Sequence, residues 1–241
     1  MLILYSTLAL CTLVVVLLIY RYDLYDKEPW YMALLAMLLG AGVMWTMGPI
    51  GGYTIERMGD FGYTPTGIAI VAGVQEELGK LAVVLFIALV FRGVFNDPLD
   101  GLIYGSLAGL GAAVEESIGV LTRADAHGML PGAEIVRLVG HAVMGGITGY
   151  GVGMWVINHP RRVRIFWTCL GVSILLHTLW DVVAGTQTKA ASMHSFAGAM
   201  LMLMGLVIFG RLTVIGAEYS RVHFNKEHHH RLFGWPFTKL F

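Results

Sequence analysis

Charge is scarce in this chain. Of its 241 residues only 13% are Asp, Glu, Lys or Arg, and 16 acidic residues balance 16 basic ones. Soluble domains carry about 25% charged residues, so a water-facing globule is excluded as the main mass. Zero net charge gives no broad basic surface and argues against a nucleic-acid partner. Cysteine is nearly absent too. The two present, Cys11 and Cys169, fall inside apolar runs and read as small core residues, neither a disulfide pair nor a thiolate metal site. No H-E-x-x-H occurs, no internal repeat stands out and no low-complexity tract is found. The first segment has no basic leader and no small-residue cleavage site, so Met1 to Tyr20 reads as a retained helix rather than a signal peptide.

What remains is apolar. Hydrophobic residues make up 56% of the chain, and the mean hydropathy is +0.70. Apolar segments run over about 2–20, 30–50, 67–91, 100–122, 135–157, 164–184 and 196–217, separated by short polar loops. The expected fold is therefore all-α, a polytopic transmembrane helical bundle of about seven spans. It would occupy residues 1–218, with a cytoplasmic tail over 219–241. The tail ends R-L-F-G-W-P-F-T-K-L-F, which suits an interfacial segment on the inner leaflet and equally a frayed end that touches lipid.

Basic residues orient the bundle. With the N-terminus outside, inner loops and tail hold Arg21, Lys27, Arg92, Arg161, Arg162, Arg164, Arg211, Arg221, Lys226, Arg231 and Lys239. The outer loops hold Arg57, Arg123, Arg137 and Lys189. The excess favours an N-out, C-in protein.

Against that background, V-Q-E-E-L-G-K-L-A-V-V at Val74–Val84 is out of place. A charge at bilayer depth costs roughly 3 kcal/mol on insertion scales. Glu76, Glu77, Glu115, Glu116 and Asp181 all fall inside apolar segments, together with Lys80, His141 and His177. Ionisable residues at this depth are functional candidates, weighed against a structural ion-pair network. Glu76 and Lys80 share a helix face at i and i+4, and Glu77 flanks them. Lys80 can neutralise one glutamate but not both, so the other needs a proton, a metal or another partner. On the fourth segment Asp100, Tyr104, Gly111 and Glu115 share a face and Glu116 points away. Asp100 itself, where N-D-P-L-D-G opens the segment, reads as a helix N-cap. H-T-L-W-D places His177 and Asp181 at i and i+4, a spacing that suits two ligands of one ion and equally a plain hydrogen bond.

Depth unites these groups. Counted from the outer ends of their segments, Glu76, Glu77, Glu115, His141 and His177 occupy one layer in the outer half of the membrane, at about 1.5 Å per residue. Gly101, Gly105 and Gly109, and the glycines of H-A-V-M-G-G-I-T-G-Y-G-V-G, would let the fourth and fifth helices approach closely. Carboxylates with two imidazoles and no thiolate suit a zinc site with an open position for water. That is chemistry for peptide hydrolysis inside a membrane.

Five motifs in order resemble the PrsW family of intramembrane proteases, related to the CAAX prenyl protease and bacteriocin-processing group. They are Y-D-L-Y-D-K-E-P, E-E-L-G-K, D-G-L-I-Y-G-S-L-A-G-L-G-A-A-V-E-E, G-H-A-V-M-G-G-I-T-G-Y and L-H-T-L-W-D. Trp30 stands where the family often repeats E-P, Ala112 where an aromatic is usual and Glu116 where asparagine is usual. The resemblance implies a metal-dependent protease of a prokaryotic inner membrane. Its substrate would be a membrane-anchored protein, such as an anti-sigma factor, cut on the extracytoplasmic side. Family positions carry over to Glu76, Glu77, Glu115, His141, His177 and Asp181. On this reading His141, His177 and Asp181 are the expected metal ligands and Glu115 a further one. Glu76 or Glu77 is the general base, with Lys80 holding the other. Two rival readings are a non-catalytic scaffold, as in a subunit of the γ-secretase complex, and a proton-coupled transporter. The sequence gives no oligomeric state.

Overall fold

The computed structural model describes residues 1–21, 23, 25–158, 162–185 and 191–223. Seven long helices make up the bundle: α1 (Leu2–Arg21), α2 (Trp30–Arg57), α3 (Pro65–Val90), α4 (Pro98–Arg123), α5 (Gly132–Asn158), α6 (Val163–Gly185) and α7 (Ala191–His223). A single 3₁₀ turn, Gly59–Phe61, lies between α2 and α3. The all-α reading and its roughly seven spans agree with this architecture. Five helices, α1, α2, α5, α6 and α7, are long and apolar enough to cross a membrane by themselves. The other two, α3 and α4, are 26 residues each and carry the acids noted above. α4 lies inside the bundle, with Ile103, Tyr104, Leu107, Ala108 and Leu110 fully buried, while α3 turns its acids inward and keeps an exposed apolar face of Ile68, Leu78, Phe86 and Leu89.

Local chemistry sets the ends. Thr64 caps α3, its hydroxyl accepting from the Gly67 N–H at 3.0 Å, and Pro65 opens the helix where a missing N–H costs nothing. α4 opens on Pro98 behind a reciprocal capping box. Asp97 is the N-cap, accepting from the N–H groups of Leu99 and Asp100, while Asp100 reaches back to the Asp97 N–H at 2.8 Å. The expected N-cap was Asp100, and the structure moves that role one turn earlier. α2 continues through Pro49 to Arg57, beyond the expected stop near residue 50. Proline removes one helical hydrogen bond, and its neighbours in a membrane bundle re-satisfy what it frees. α7 runs on to His223, so the first residues of the expected tail are helical. Residues 224–241 lie outside the described residues.

Glycine decides the tightest interface. A Cβ at Gly101, Gly105 or Gly109 of α4 would overlap the carbonyl oxygens of Gly149, Gly145 and His141 on α5. The two backbones touch, which is the close approach that small residues permit. Gly40 of α2 and Gly111 of α4 make similar contacts, with Ala108 and Met37. A one-turn slip of α5 along α4 would carry His141 about 5 Å out of the layer it shares with Glu76 and His177. Cys11 and Cys169 are both free thiols, and Cys169 is buried as expected.

The bundle has two distinct ends. At one, Tyr5 of α1 hydrogen-bonds Thr122 of α4 at 3.0 Å, and Gln75 of α3 donates to Thr54 of α2 at 2.7 Å. At the other, Asn96 donates to Asp26 in the α1–α2 connection at 2.9 Å. The candidate site belongs to the first end.

Candidate active site

Helix rise places the site before any contact is considered. Glu76 lies 11 positions into α3, Glu116 seven from the end of α4, His141 nine into α5 and His177 eight from the end of α6. At about 1.5 Å per residue these are all about 10–17 Å from the same end of the bundle. The structure brings them together.

Glu77 is the anchor. It is fully buried, and its Oε1 accepts from Lys80 Nζ at 2.6 Å and lies 2.8 Å from His177 Nδ1. Its Oε2 accepts from the Thr148 hydroxyl at 3.4 Å. Lys80 is 1% exposed, so this ion pair is out of water and either partner alone would be a buried uncompensated charge. Both Glu77 oxygens are occupied. The contact with Glu77 makes His177 Nδ1 the protonated nitrogen, the usual way a carboxylate sets an imidazole tautomer. Its Nε2 then faces Glu76 Oε2 at 3.5 Å and Asp181 Oδ2 at 3.6 Å.

Those separations are too long for good hydrogen bonds. The same looseness recurs at His141, whose Nδ1 is 4.0 Å from Glu76 Oε2. Glu76 Oε2 and His141 Nδ1 are both buried and have no hydrogen-bond partner. Buried polar atoms are normally satisfied, so two such atoms facing each other call for something between them. One ligand atom from each of Glu76, His141 and His177 lies within 4.8 Å of the other two. The two rings meet edge to face, with centroids 4.9 Å apart. Donor chemistry, spacing and the orphaned atoms all fit a small divalent cation held by two imidazoles and a carboxylate.

The other expected site residues fall around this triad. Asp181 sits beside His177 and is partly exposed. Glu115 lines a cleft of about 490 Å³ between α2, α3 and α4, with Trp45, Gly48, Gly52, Gln75 and Glu76 also in its wall. No ion pair joins Glu115 to either imidazole among the described residues. Glu116, expected to point away from the face that Glu115 shares with Asp100 and Tyr104, lies 3.4 Å from His141 Nε2 and 3.3 Å from Arg137 Nε. Sequence reasoning passed over Arg137 and Thr148. Arg137 had a readable signal, since R-L-V-G-H puts it four residues before His141 on one face of α5. Thr148 had none.

With this geometry in hand, the chain was compared with known proteins. The model of the PrsW family of intramembrane metalloproteases matches residues 28–212. The chain belongs to the PrsW family. All of the clustered residues fall inside the match. Protease PrsW of Halalkalibacterium halodurans is 30% identical over 115 residues, covering 47% of this chain and 52% of that protein. Protease PrsW of Bacillus subtilis is 28% identical over 168 residues, covering 68% of this chain and 74% of that protein. The matched stretch thus spans about half of the first relative's length and about three quarters of the second's. A Pyrococcus horikoshii protein that carries a phosphate permease name is 30% identical over 149 residues, but only 34% of that protein is covered. No solved structure matches. Membership in the PrsW family agrees with the motif resemblance, and the helices make the chain an integral membrane protein.

Proposed function

We propose that this PrsW-family chain is an intramembrane endopeptidase. It would cut a membrane-anchored protein, of the anti-sigma-factor kind, near the extracytoplasmic face of a prokaryotic inner membrane. The observation that carries this reading is the pair of orphaned, buried atoms, Glu76 Oε2 and His141 Nδ1, facing one another beside His177 Nε2. The excess of basic residues in the inner loops supports putting this end of the bundle outside.

Glu76, His141 and His177 would hold the metal, with zinc the ion that suits two imidazoles and a carboxylate. When bound, zinc lowers the pKa of a water to about 7 and polarises a carbonyl. The chain's own residues do the rest. Glu77, neutralised by Lys80, keeps the proton on His177 Nδ1 and turns Nε2 toward Glu76. Asp181, partly exposed and 3.6 Å from His177 Nε2, is the carboxylate free to take a proton from the attacking water and return it to the leaving amine. This exchanges the sequence-based roles of Glu76 and Asp181. The reason is that Glu76 approaches both imidazoles, while Asp181 approaches one. Glu77 is set aside as base because both its oxygens are engaged. Glu115, in the cleft wall, is placed to meet the peptide rather than the ion. The cleft offers a stretch of peptide access to Glu76, and the apolar surface around it excludes water from the rest of the span.

The test is cleavage of a single-span reporter by protein reconstituted in liposomes. Wild type cuts the reporter, and Glu76→Gln and His177→Ala each lose at least about a hundredfold in rate. Full cleavage by either variant would overturn the assignment. A stable partner co-purifying in fixed ratio with uncut reporter would favour the scaffold reading.

A further inference from the structure

Each imidazole of the site is held from behind, but by different means. His177 is held by Glu77, which is neutralised by Lys80 on the same helix. Around His141 a second carboxylate and a second cation repeat the arrangement across two helices. Glu116 of α4 brings Oε2 to 3.4 Å from His141 Nε2 and to 3.3 Å from Arg137 Nε. Arg137 is fixed in turn by Glu134, at the start of α5, which accepts from its Nη1. Arg137 and His141 are four residues apart on one helix, so the cation and the ring present one face to Glu116.

We infer that Glu116 and Arg137 form the positioning pair of His141. The Glu116 carboxylate, 3.4 Å from His141 Nε2, favours the proton on that nitrogen electrostatically and so leaves Nδ1 bare and turned toward Glu76, while Arg137 neutralises Glu116 and fixes its reach. This rests on the metal reading of Glu76, His141 and His177. Three features argue for it over an ordinary surface ion pair. One Glu116 oxygen serves both Arg137 and His141. The ring nitrogen on the far side of His141 is the buried, unpartnered one that faces Glu76. The α4–α5 backbone contact at Gly109 and His141 fixes the distance across which Glu116 must reach. Among the described residues, the opposite cluster of acids, around Glu28 and Asp100, has no imidazole to orient.

The experiment has two readouts. In [15N]histidine-labelled protein in micelles, the His141 resonances, assigned by their loss in His141→Gln, report the tautomer. Wild type has the proton on Nε2 and a bare Nδ1. Glu116→Ala mixes the two tautomers, and Glu116→Gln, which can still accept, restores the wild-type pattern. Zinc affinity, read by competition with a chelating dye, falls about tenfold to a hundredfold in Glu116→Ala and in Arg137→Ala. An unchanged tautomer in Glu116→Ala overturns the inference whatever the affinity. The wild-type tautomer pattern with no zinc uptake by wild type keeps Glu116 as the positioning residue and removes the metal reading alone. If Glu116→Ala does not fold, Glu116→Gln and Arg137→Ala carry the same comparison.

Discussion

Both ends of this bundle bury acidic side chains, and they do so by opposite means. At the site end, Glu76, Glu77, Glu116 and Asp181 are surrounded by Lys80, Arg137, His141 and His177. At the other end Asp23, Glu28, Asp97 and Asp100 are all nearly buried, and no ion pair reaches them among the described residues. There the partners are backbone N–H groups and hydroxyls. Asp23 accepts from the Glu28 N–H at 2.5 Å, Asp100 from the Asn96 N–H at 2.6 Å, and Glu28 from the Tyr104 hydroxyl. Those oxygens are spent on capping α4 and tying the α1–α2 connection to it. The site end instead keeps Glu76 Oε2 and His141 Nδ1 unspent. A buried acid alone does not mark function in a membrane protein. On the reading proposed above, the distinguishing feature is a buried acid and a buried imidazole left facing each other without partners.

The sharpest way to break that contrast is Lys80→Met. It leaves Glu77 as a buried charge without its cation, a loss of about 3–5 kcal/mol. Thermal unfolding in detergent should show little folded protein, and the double variant with Glu77→Gln, whose amide oxygen can still accept from His177, should recover the fold. At the opposite end, Asp97→Ala removes an N-cap, worth about 0.5–2 kcal/mol, together with the Asp97–Ser220 hydrogen bond to α7. Its cleavage rate per folded molecule should stay that of wild type. A variant inactive there would mean that the two ends are coupled.

A smaller effect separates the ends by pH. Burial, reinforced by neighbouring acids, pushes Glu28 up to about 7. Burial likewise lifts Asp23 to about 6, against the N–H bond it accepts from Glu28. Both pKa values lie above those of the unfolded chain, so between about pH 4 and 7 the folded protein keeps protons that the unfolded one has released. The contribution is fully present below about pH 4 and is lost as pH rises through 7. Glu28→Gln keeps an acceptor for Tyr104 and carries no proton to lose. Its melting temperature should vary less with pH across that window than that of wild type, and an unchanged slope would remove the role given to Glu28. The smallest effect expected is that of Asp100→Asn, which keeps one acceptor for the N–H groups of Asn96 and Asp97, about 1 kcal/mol or less.

Much of the site was legible because a helix fixes both face and depth. E-E-x-x-K, R-x-x-x-H and H-x-x-x-D each state a shared face, and a constant rise puts Glu76, His141 and His177 in one layer. What a single helix cannot state is which of two adjacent residues meets which neighbour. Glu76 and Glu77 differ by about 100° around α3, and only the positions of α5 and α6 decide that Glu77 meets Lys80 and His177 while Glu76 faces both rings. The same gap explains Glu116. It lies about 100° from Glu115 around α4, and because α4 is surrounded by protein, that side also meets a partner helix. The seven segments were readable from hydropathy, whereas the course of α2 past Pro49 was not. Whether proline ends a helix depends on the neighbours that re-satisfy the freed backbone.

The central claim is that Glu76, His141 and His177 are held open for a metal. Its most direct test is the zinc content of protein purified in detergent without chelator, measured by elemental mass spectrometry for wild type, His177→Ala and Asp97→Ala. The account expects about one zinc per chain in wild type and in Asp97→Ala, and none in His177→Ala. Equal zinc in His177→Ala and wild type, or none in wild type after zinc is supplied, would contradict it.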